Sequence, residues 1–264
     1  MLIDCHVHLN TYEENRQRTV DDALAELYAA MAENGVDHAV VLTSYKVNAQ
    51  RPHVDEVIRA VNGDPRITII EGLRWRDPEE RTDLFNLEER IRDGLVKGIK
   101  LYPGYDRYAI NDPSLESVLR IAAKHQVPVM IHCGDTYSKH AKVRQAHPLL
   151  VDDVAVDYPD VQFVICHLGN PWFQDAAEVL YKNDNVLADI SGLTLGDIAQ
   201  RVRDMISYMG DPGKQLMYGT DWPLAGMRTY RRFFDSLELD DEAKEGIAWR
   251  NTARLFKIDL DAHV

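Results

Sequence analysis

Short runs of apolar, largely β-branched residues alternate along this chain with longer segments whose apolar positions recur every three or four residues. Eight runs stand out: LIDCHVHL (2–9), HAVVLTSY (38–45), RITIIEGL (66–73), VKGIKLY (96–102), VPVMIHC (127–133), VQFVICHLG (161–169), NVLADIS (185–191) and KQLMYGTD (214–221). Their near-continuous apolar character, without a polar face, predicts buried parallel strands. Between the first two runs, Val20, Leu24, Leu27, Tyr28 and Met31 fall on one helical face. Asp21 and Asp22 occupy the first turn, where the helix dipole favours anions, and Gly35 follows the end. The same spacing predicts helices near 83–93, 114–125, 147–157, 173–182, 198–209 and 228–236, and an extra C-terminal one over 240–255.

Strand–helix alternation repeated this often admits two architectures, a closed barrel or an open doubly wound sheet. The open sheet carries a glycine-rich phosphate turn after its first strand, whereas that turn here is Leu9-Asn10-Thr11-Tyr12, without glycine. The reading is therefore an α/β fold, a (β/α)8 TIM barrel. No linker or shift of composition divides the chain, so residues 1–264 are expected to form a single domain.

Charge narrows the function. The chain has 264 residues, with 30 Lys plus Arg against 43 Asp plus Glu, a net charge of −13. Such a charge opposes non-specific nucleic-acid binding and repels anionic lipid, so neither nucleic acid nor membrane is an expected partner. The 3 cysteines form no CxxC pair, which argues against a disulfide framework or a four-thiolate zinc site and for a reducing, cytoplasmic setting. No apolar run reaches membrane-spanning length, and Met-Leu-Ile-Asp does not begin a secretory signal.

In a barrel of this kind, chemistry gathers at the C-terminal ends of the strands. The titratable residues there are His6 and His8 on the first strand, Lys100 on the fourth, His132 on the fifth, His167 on the sixth and Asp221 on the eighth. Residues two apart on a strand share a face, so His6 and His8 can aim both imidazoles at one point. Imidazole and carboxylate without thiolate suit Zn²⁺ or another first-row divalent ion with an open coordination position. A lone buried histidine is more often a hydrogen-bonded core residue than a ligand, but four at strand ends with an aspartate are poorly explained by packing.

The segments DCHVHL, GIKLYP, IHCG, CHLG and YGTDWP, in this order, resemble the amidohydrolase superfamily, in its amidohydrolase-related branch of metal-dependent TIM-barrel enzymes. The resemblance runs from residue 3 to WRNTARLF (249–256), similar to that branch's C-terminal segment. It implies that His6, His8, His132 and Asp221 bind the metal, with His167 beside its water or on a second metal. Lys100 stands where binuclear members such as dihydroorotases carry a carboxylated lysine. Other members of the branch bind one metal, and their lysine is absent or contacts the substrate. The expectation is one divalent ion, Zn, with Lys100 as a substrate-facing cation; a second metal would require carboxylated Lys100. The resemblance also allows a homodimer.

The implied chemistry is hydrolysis by a metal-activated water, cleaving a C–N or C–O bond of a small cyclic amide, lactone or similar molecule. Asp221 would serve as ligand and general base, and His167 would orient the nucleophile or stabilise the oxyanion. Asp189 is either a partner of this machinery or a buried, satisfied carboxylate. Tyr102, Asp135 and Trp222 join Lys100 as substrate-binding candidates, although Trp222 and Trp172 can equally pack between barrel and helices. Lys139, Lys142 and Arg144 in the loop 134–147, with Lys46, Arg51, Arg74, Arg76 and Arg228 on other strand-to-helix loops, would draw an anionic, carboxylated substrate. His140 and His147 are expected to be structural or solvated, and His38, His53, His125 and His263 have no claim on the site. Strand alternation points Cys5, Cys133 and Cys166 away from the barrel axis. Two other functions remain: a metal-dependent decarboxylase of an aromatic or muconate-like acid, and a non-catalytic binding barrel, which the complete set of ligands disfavours.

Overall fold

The computed structural model describes residues 1–12, 18–193 and 198–260, so His263 lies outside the described residues. The strands are β1 (Ile3–Val7), β2 (His38–Leu42), β3 (Ile67–Gly72), β4 (Ile99–Leu101), β5 (Val129–Ile131), β6 (Phe163–Ile165), β7 (Val186–Asp189) and β8 (Leu216–Met217). They form one parallel sheet in sequence order. The sheet closes where the backbone N–H of Cys5 donates to Tyr218 O (2.9 Å) and that of Asp221 donates to His6 O (2.8 Å). The (β/α)8 barrel expected from the alternating pattern is the fold.

The helices are α1 (Val20–Asn34), α2 (Val54–Val61), α3 (Leu84–Arg92), α4 (Glu116–His125), α5 (Leu149–Asp157), α6 (Phe173–Lys182), α7 (Ile198–Met209) and α8 (Met227–Asp235). In α1 the predicted signals hold, with Asp21 and Asp22 in the first turn, Gly35 ending the helix at φ 65° and Leu24, Leu27 and Met31 buried; the structure adds a capping box, the Thr19 hydroxyl accepting from Asp22 N and the Asp22 carboxylate from Thr19 N. Helix α2 was not among the predicted elements. It is two turns long, its N-terminus is capped by the imidazole of His53, and it buries Val54, Val57 and Val61. The continuous helix expected over 240–255 is instead α9 (Asp241–Glu245), a π turn over Gly246–Arg250 and α10 (Asn251–Phe256). The break lets Asn251 turn inward, where its amide donates to Gly213 O (2.7 Å) and Leu216 O (2.8 Å).

Two apolar layers follow from strand alternation. Ala39, Val41, Ile99, Leu101, Val129, Ile131, Phe163 and Ile165 pack outward against the helices. Val40, Leu42, Ile70, Met130, Val164, Leu187 and Met217 fill the barrel interior, together with Leu255 and Phe256 of α10. Cys133 belongs to the outer layer, but Cys5 and Cys166 belong to the inner one, contrary to the expectation that all three face outward. The register of β1 shifts between Asp4 and Val7, and His167 adopts φ 59°, so simple alternation fails at both histidine ends. Among the described residues no helix is long and apolar enough to cross a membrane.

Candidate functional site

The site begins with the seam between β1 and β8. Asp4 is buried and accepts from His6 N (3.2 Å), Thr220 N (3.0 Å) and the Thr220 hydroxyl (2.7 Å). Burial pushes its carboxyl up to about 7 against the pull of those hydrogen bonds. Beyond this anchor Asp221 adopts φ 67°, a costly conformation for a non-glycine residue. It brings the carboxylate back over the first strand.

There His6, His8 and Asp221 converge. Asp221 Oδ1 lies 3.2 Å from His8 Nε2 and 3.7 Å from His6 Nε2, and all three residues are buried. The opposite ring nitrogens are committed: His8 Nδ1 donates to Leu42 O (2.7 Å) and His6 Nδ1 to Asp189 Oδ2 (2.9 Å). A carbonyl or carboxylate can only accept, so these partners assign a proton to each Nδ1 and leave each Nε2 turned to Asp221 Oδ1, where a bound cation would stand in place of a proton. Burial, reinforced by the charge of Lys100, takes His6 down to about 3, so it is neutral at physiological pH. Burial works against the Asp221 carboxylate, yet the His8 contact and the neighbouring imidazoles hold it at about 2. Two imidazole nitrogens and an anionic oxygen facing one another are a fitting donor set for a divalent cation.

A second grouping of His6, His167 and Asp189 also draws together. Here the carboxylate is already engaged. Asp189 Oδ2 holds His6, while Oδ1 accepts from His167 N (2.9 Å), Ser191 N (3.0 Å) and the Ser191 hydroxyl (2.5 Å). Burial opposes its charge, but the hydrogen bond from His6 and the nearby ammonium of Lys100 keep Asp189 well below the usual carboxylate range. Asp189 is thus a hub that orients two histidines. His167 Nδ1 lies 3.1 Å from Ser191 O, and its ring is 4.9 Å from that of His6.

These groups floor a cavity of about 470 Å³. Lys100, Tyr102, His132 and Asp135 line it, joined by Tyr12, Tyr45, Lys46, Arg51 and Tyr105. The ring of His132 stands 5.1 Å from that of His167, but its Nε2 contacts Asp135 O at 2.9 Å, and His132 lies outside both three-residue groupings. Lys100 is buried with its ammonium 2.7 Å from the thiol of Cys166. The Tyr102 hydroxyl donates to Thr43 O (2.7 Å), leaving its ring to face the cavity.

Several candidates are not brought here. Trp222 does not line the cavity; its neighbour Asp221 turns in, so Trp222 turns outward beneath the guanidinium of Arg18. Trp172 stacks on His147 at 4.5 Å. Of the loop cations, Lys46 and Arg51 reach the cavity, whereas Arg74 pairs with Asp77 and Glu80, and Arg228 with Glu33. Lys139, Lys142, Arg144, Arg76 and His140 are not among the lining residues. His38 meets Thr68 (2.9 Å) and His125 meets Glu88 (2.8 Å). Sequence reasoning missed Asp4, Ser191 and Thr220. Only Ser191 had a readable signal, standing two residues from Asp189 and so able to share its side of the strand.

A family model described as Amidohydrolase matches residues 3–258. No curated protein matches the chain in sequence. Among solved structures, an uncharacterised TIM-barrel protein, Bb4693, from Bordetella bronchiseptica is similar at TM-score 0.78 and 18% identity, covering 97% of this chain and 98% of that one. A probable 2-pyrone-4,6-dicarboxylic acid hydrolase from Acinetobacter baumannii, with citric acid bound, aligns at TM-score 0.71 and 18% identity over 97% and 99% of the two chains. A dihydroxybenzoic acid decarboxylase from Polaromonas sp. JS666, with bound manganese and the inhibitor 2-nitroresorcinol, aligns at TM-score 0.71 and 15% identity over 99% and 98%.

Proposed function

Because the chain belongs to the amidohydrolase family over residues 3–258, we propose that it is a metal-dependent hydrolase of a small anionic substrate, with one divalent ion, Zn, held by His6, His8 and Asp221. The observation that carries this reading is the convergence of two Nε2 atoms on the Asp221 carboxylate, 3.2 and 3.7 Å away, in an open cavity. His132, whose ring lies beside that of His167, joins the set if its imidazole leaves Asp135 O. A single ion is favoured because the ammonium of Lys100 is occupied by Cys166. Bound there, the ion would supply Lewis-acid chemistry, polarising the bond to be cleaved and acidifying water.

The protein's own groups do the rest. Asp221, ionised and partly shielded from water, accepts the proton of the attacking water and passes it to the leaving group. His167, whose Nδ1 is engaged by Ser191, orients the attacking water by accepting from it at Nε2. Lys100, whose ammonium keeps two further donors beside its contact with Cys166, holds the substrate's negative charge together with Lys46 and Arg51, which line the same cavity. The free, buried thiols of Cys5, Cys133 and Cys166 support a reducing, cytoplasmic setting. The test is metal analysis of the purified protein followed by a screen of cyclic amides and lactones in ¹⁸O-water. One bound Zn per chain and ¹⁸O in the product are expected; turnover in the metal-free protein overturns the mechanism.

A second reading, non-oxidative decarboxylation of an aromatic or muconate-like acid, is favoured by the ring-lined wall. Tyr45 stacks against Tyr102 (5.0 Å) and Tyr105 against His132 (4.8 Å) around the same cavity, a surface suited to a planar ring. Release of CO₂ without ¹⁸O incorporation would select it.

A further inference from the structure

One hydroxyl touches both inner histidines. Ser191 Oγ lies 3.0 Å from His6 Nδ1 and 3.0 Å from His167 Nδ1, and 2.5 Å from Asp189 Oδ1. A serine hydroxyl has one proton to give and two lone pairs to receive with. Asp189, anionic, can only accept, so the proton goes to Oδ1. Both lone pairs then face imidazoles, and each imidazole must present a proton at Nδ1. The other acceptors agree: Asp189 Oδ2 receives His6 Nδ1, and the Ser191 carbonyl receives His167 Nδ1. Ser191 is fully buried, so no water competes for these positions.

We propose that Ser191 is a positioning residue whose single hydroxyl, acting with Asp189 Oδ2 and the Ser191 carbonyl, holds both His6 and His167 protonated at Nδ1, so that both rings keep Nε2 unprotonated. Asp189 forces the hydroxyl's direction, and the hydroxyl gives both rings one shared acceptor. A cation drawing on His6 Nε2 makes its Nδ1–H a stronger donor, and that donor shares its acceptor with His167. Ion uptake at His6 is thereby coupled to the hydrogen bonding of His167 through one atom. His8 stands outside the device, because its Nδ1 is held separately by Leu42 O. The coupling to an ion rests on the metal reading above; the tautomer assignment does not.

The test uses the whole protein at fixed pH, with Zn²⁺ as the probe and long-range ¹H–¹⁵N spectra of the histidine rings as the reporter. In Ser191→Ala, the Zn²⁺ dissociation constant is expected to rise at least ~10-fold, the usual effect of removing a group that orients a ligand. The Nδ1 signals of His6 and His167 should both shift while that of His8 stays, since only the first two lose the shared acceptor. Ser191→Thr, which retains the hydroxyl, should recover both properties. If Ser191→Ala does not fold, Ser191→Cys, close in size but a weak acceptor, provides the same comparison. A variant that melts lower yet binds Zn²⁺ as tightly and keeps the wild-type His167 pattern reduces Ser191 to packing and overturns the proposal. A wild-type protein that takes up no Zn²⁺ defeats the metal reading instead, and the ring spectra of the variants still decide the tautomer assignment.

Discussion

Gly192 lies so close to the ring of His167 that a β-carbon there would stand 2.6 Å from Nδ1, and 3.0 Å from Asp221 Oδ2. Its φ of 64° is also one that residues with side chains rarely adopt. Gly192→Ala therefore has two costs: roughly 1–2 kcal/mol of backbone strain, and displacement of two groups of the site. Neither neighbour can yield freely, since Asp189 and Ser191 hold His167 and His8 meets Asp221. Turnover should fall about 100-fold, the scale expected of an ångström-sized misplacement, with the circular dichroism spectrum preserved. Kinetics and spectra on one preparation check this; undiminished turnover would remove the requirement for close approach.

Asp221→Asn replaces an anion by a neutral amide of the same shape. The fold should persist, because the backbone N–H of residue 221 still donates to His6 O. Turnover should vanish, and Zn²⁺ affinity should fall. Retention of more than a few per cent of activity, measured beside a thermal melt, would strip Asp221 of its assigned role as base.

Zn²⁺ should stabilise the folded chain, since its donors come from β1 and from the segment following β8 and are brought together only by folding. At a free concentration one hundred times Kd the gain is about 2.7 kcal/mol, visible as a rise in Tm that a chelator reverses. His8→Ala should abolish most of that rise. An equal rise in wild type and His8→Ala would place the stabilising ion elsewhere.

One surface carboxylate sets a small acid-side dependence. Asp64 receives a two-pronged bond from Arg66 and one from the Tyr28 hydroxyl, and the Arg66 bonds chiefly hold it below the usual carboxylate range against a modest burial penalty. Its folded pKa is depressed, so its contribution is fully present above the unfolded value of about 3.9. It is lost as pH falls from there through the depressed folded value. Arg66 is half exposed and solvent screens the pair, which limits the effect at neutral pH to no more than about 1 kcal/mol. Asp64→Asn should lower Tm slightly at pH 7 and leave it unchanged in strong acid; a constant difference across that range would refute the linkage.

The barrel was legible because each strand is a bounded β-branched run and because the helical period returns between most of them. Helix α2 escaped because VDEVIRAV is two turns long and too short for its period to assert itself. Of the site, His6, His8 and Asp221 could be read from strand-end position and chemistry. The inward turn of Cys5 and Cys166 could not, because it depends on a register shift in β1 and on left-handed backbone at His167 and Leu168. The same applies to His132, which faces the cavity but spends Nε2 on a carbonyl three residues away. Pattern reports which face a residue occupies; it does not report which hydrogen bond that residue makes.

The seam between β1 and β8 also orders the site in time. Asp4 and Thr220 lock together the first and last strands of the sheet, and the candidate ligands His6, His8 and Asp221 sit on either side of that lock. During synthesis from the N-terminus, seven strands can emerge while the imidazoles of β1 still lack their carboxylate. Under the proposed metal site, the full set of donors would therefore form only on ring closure.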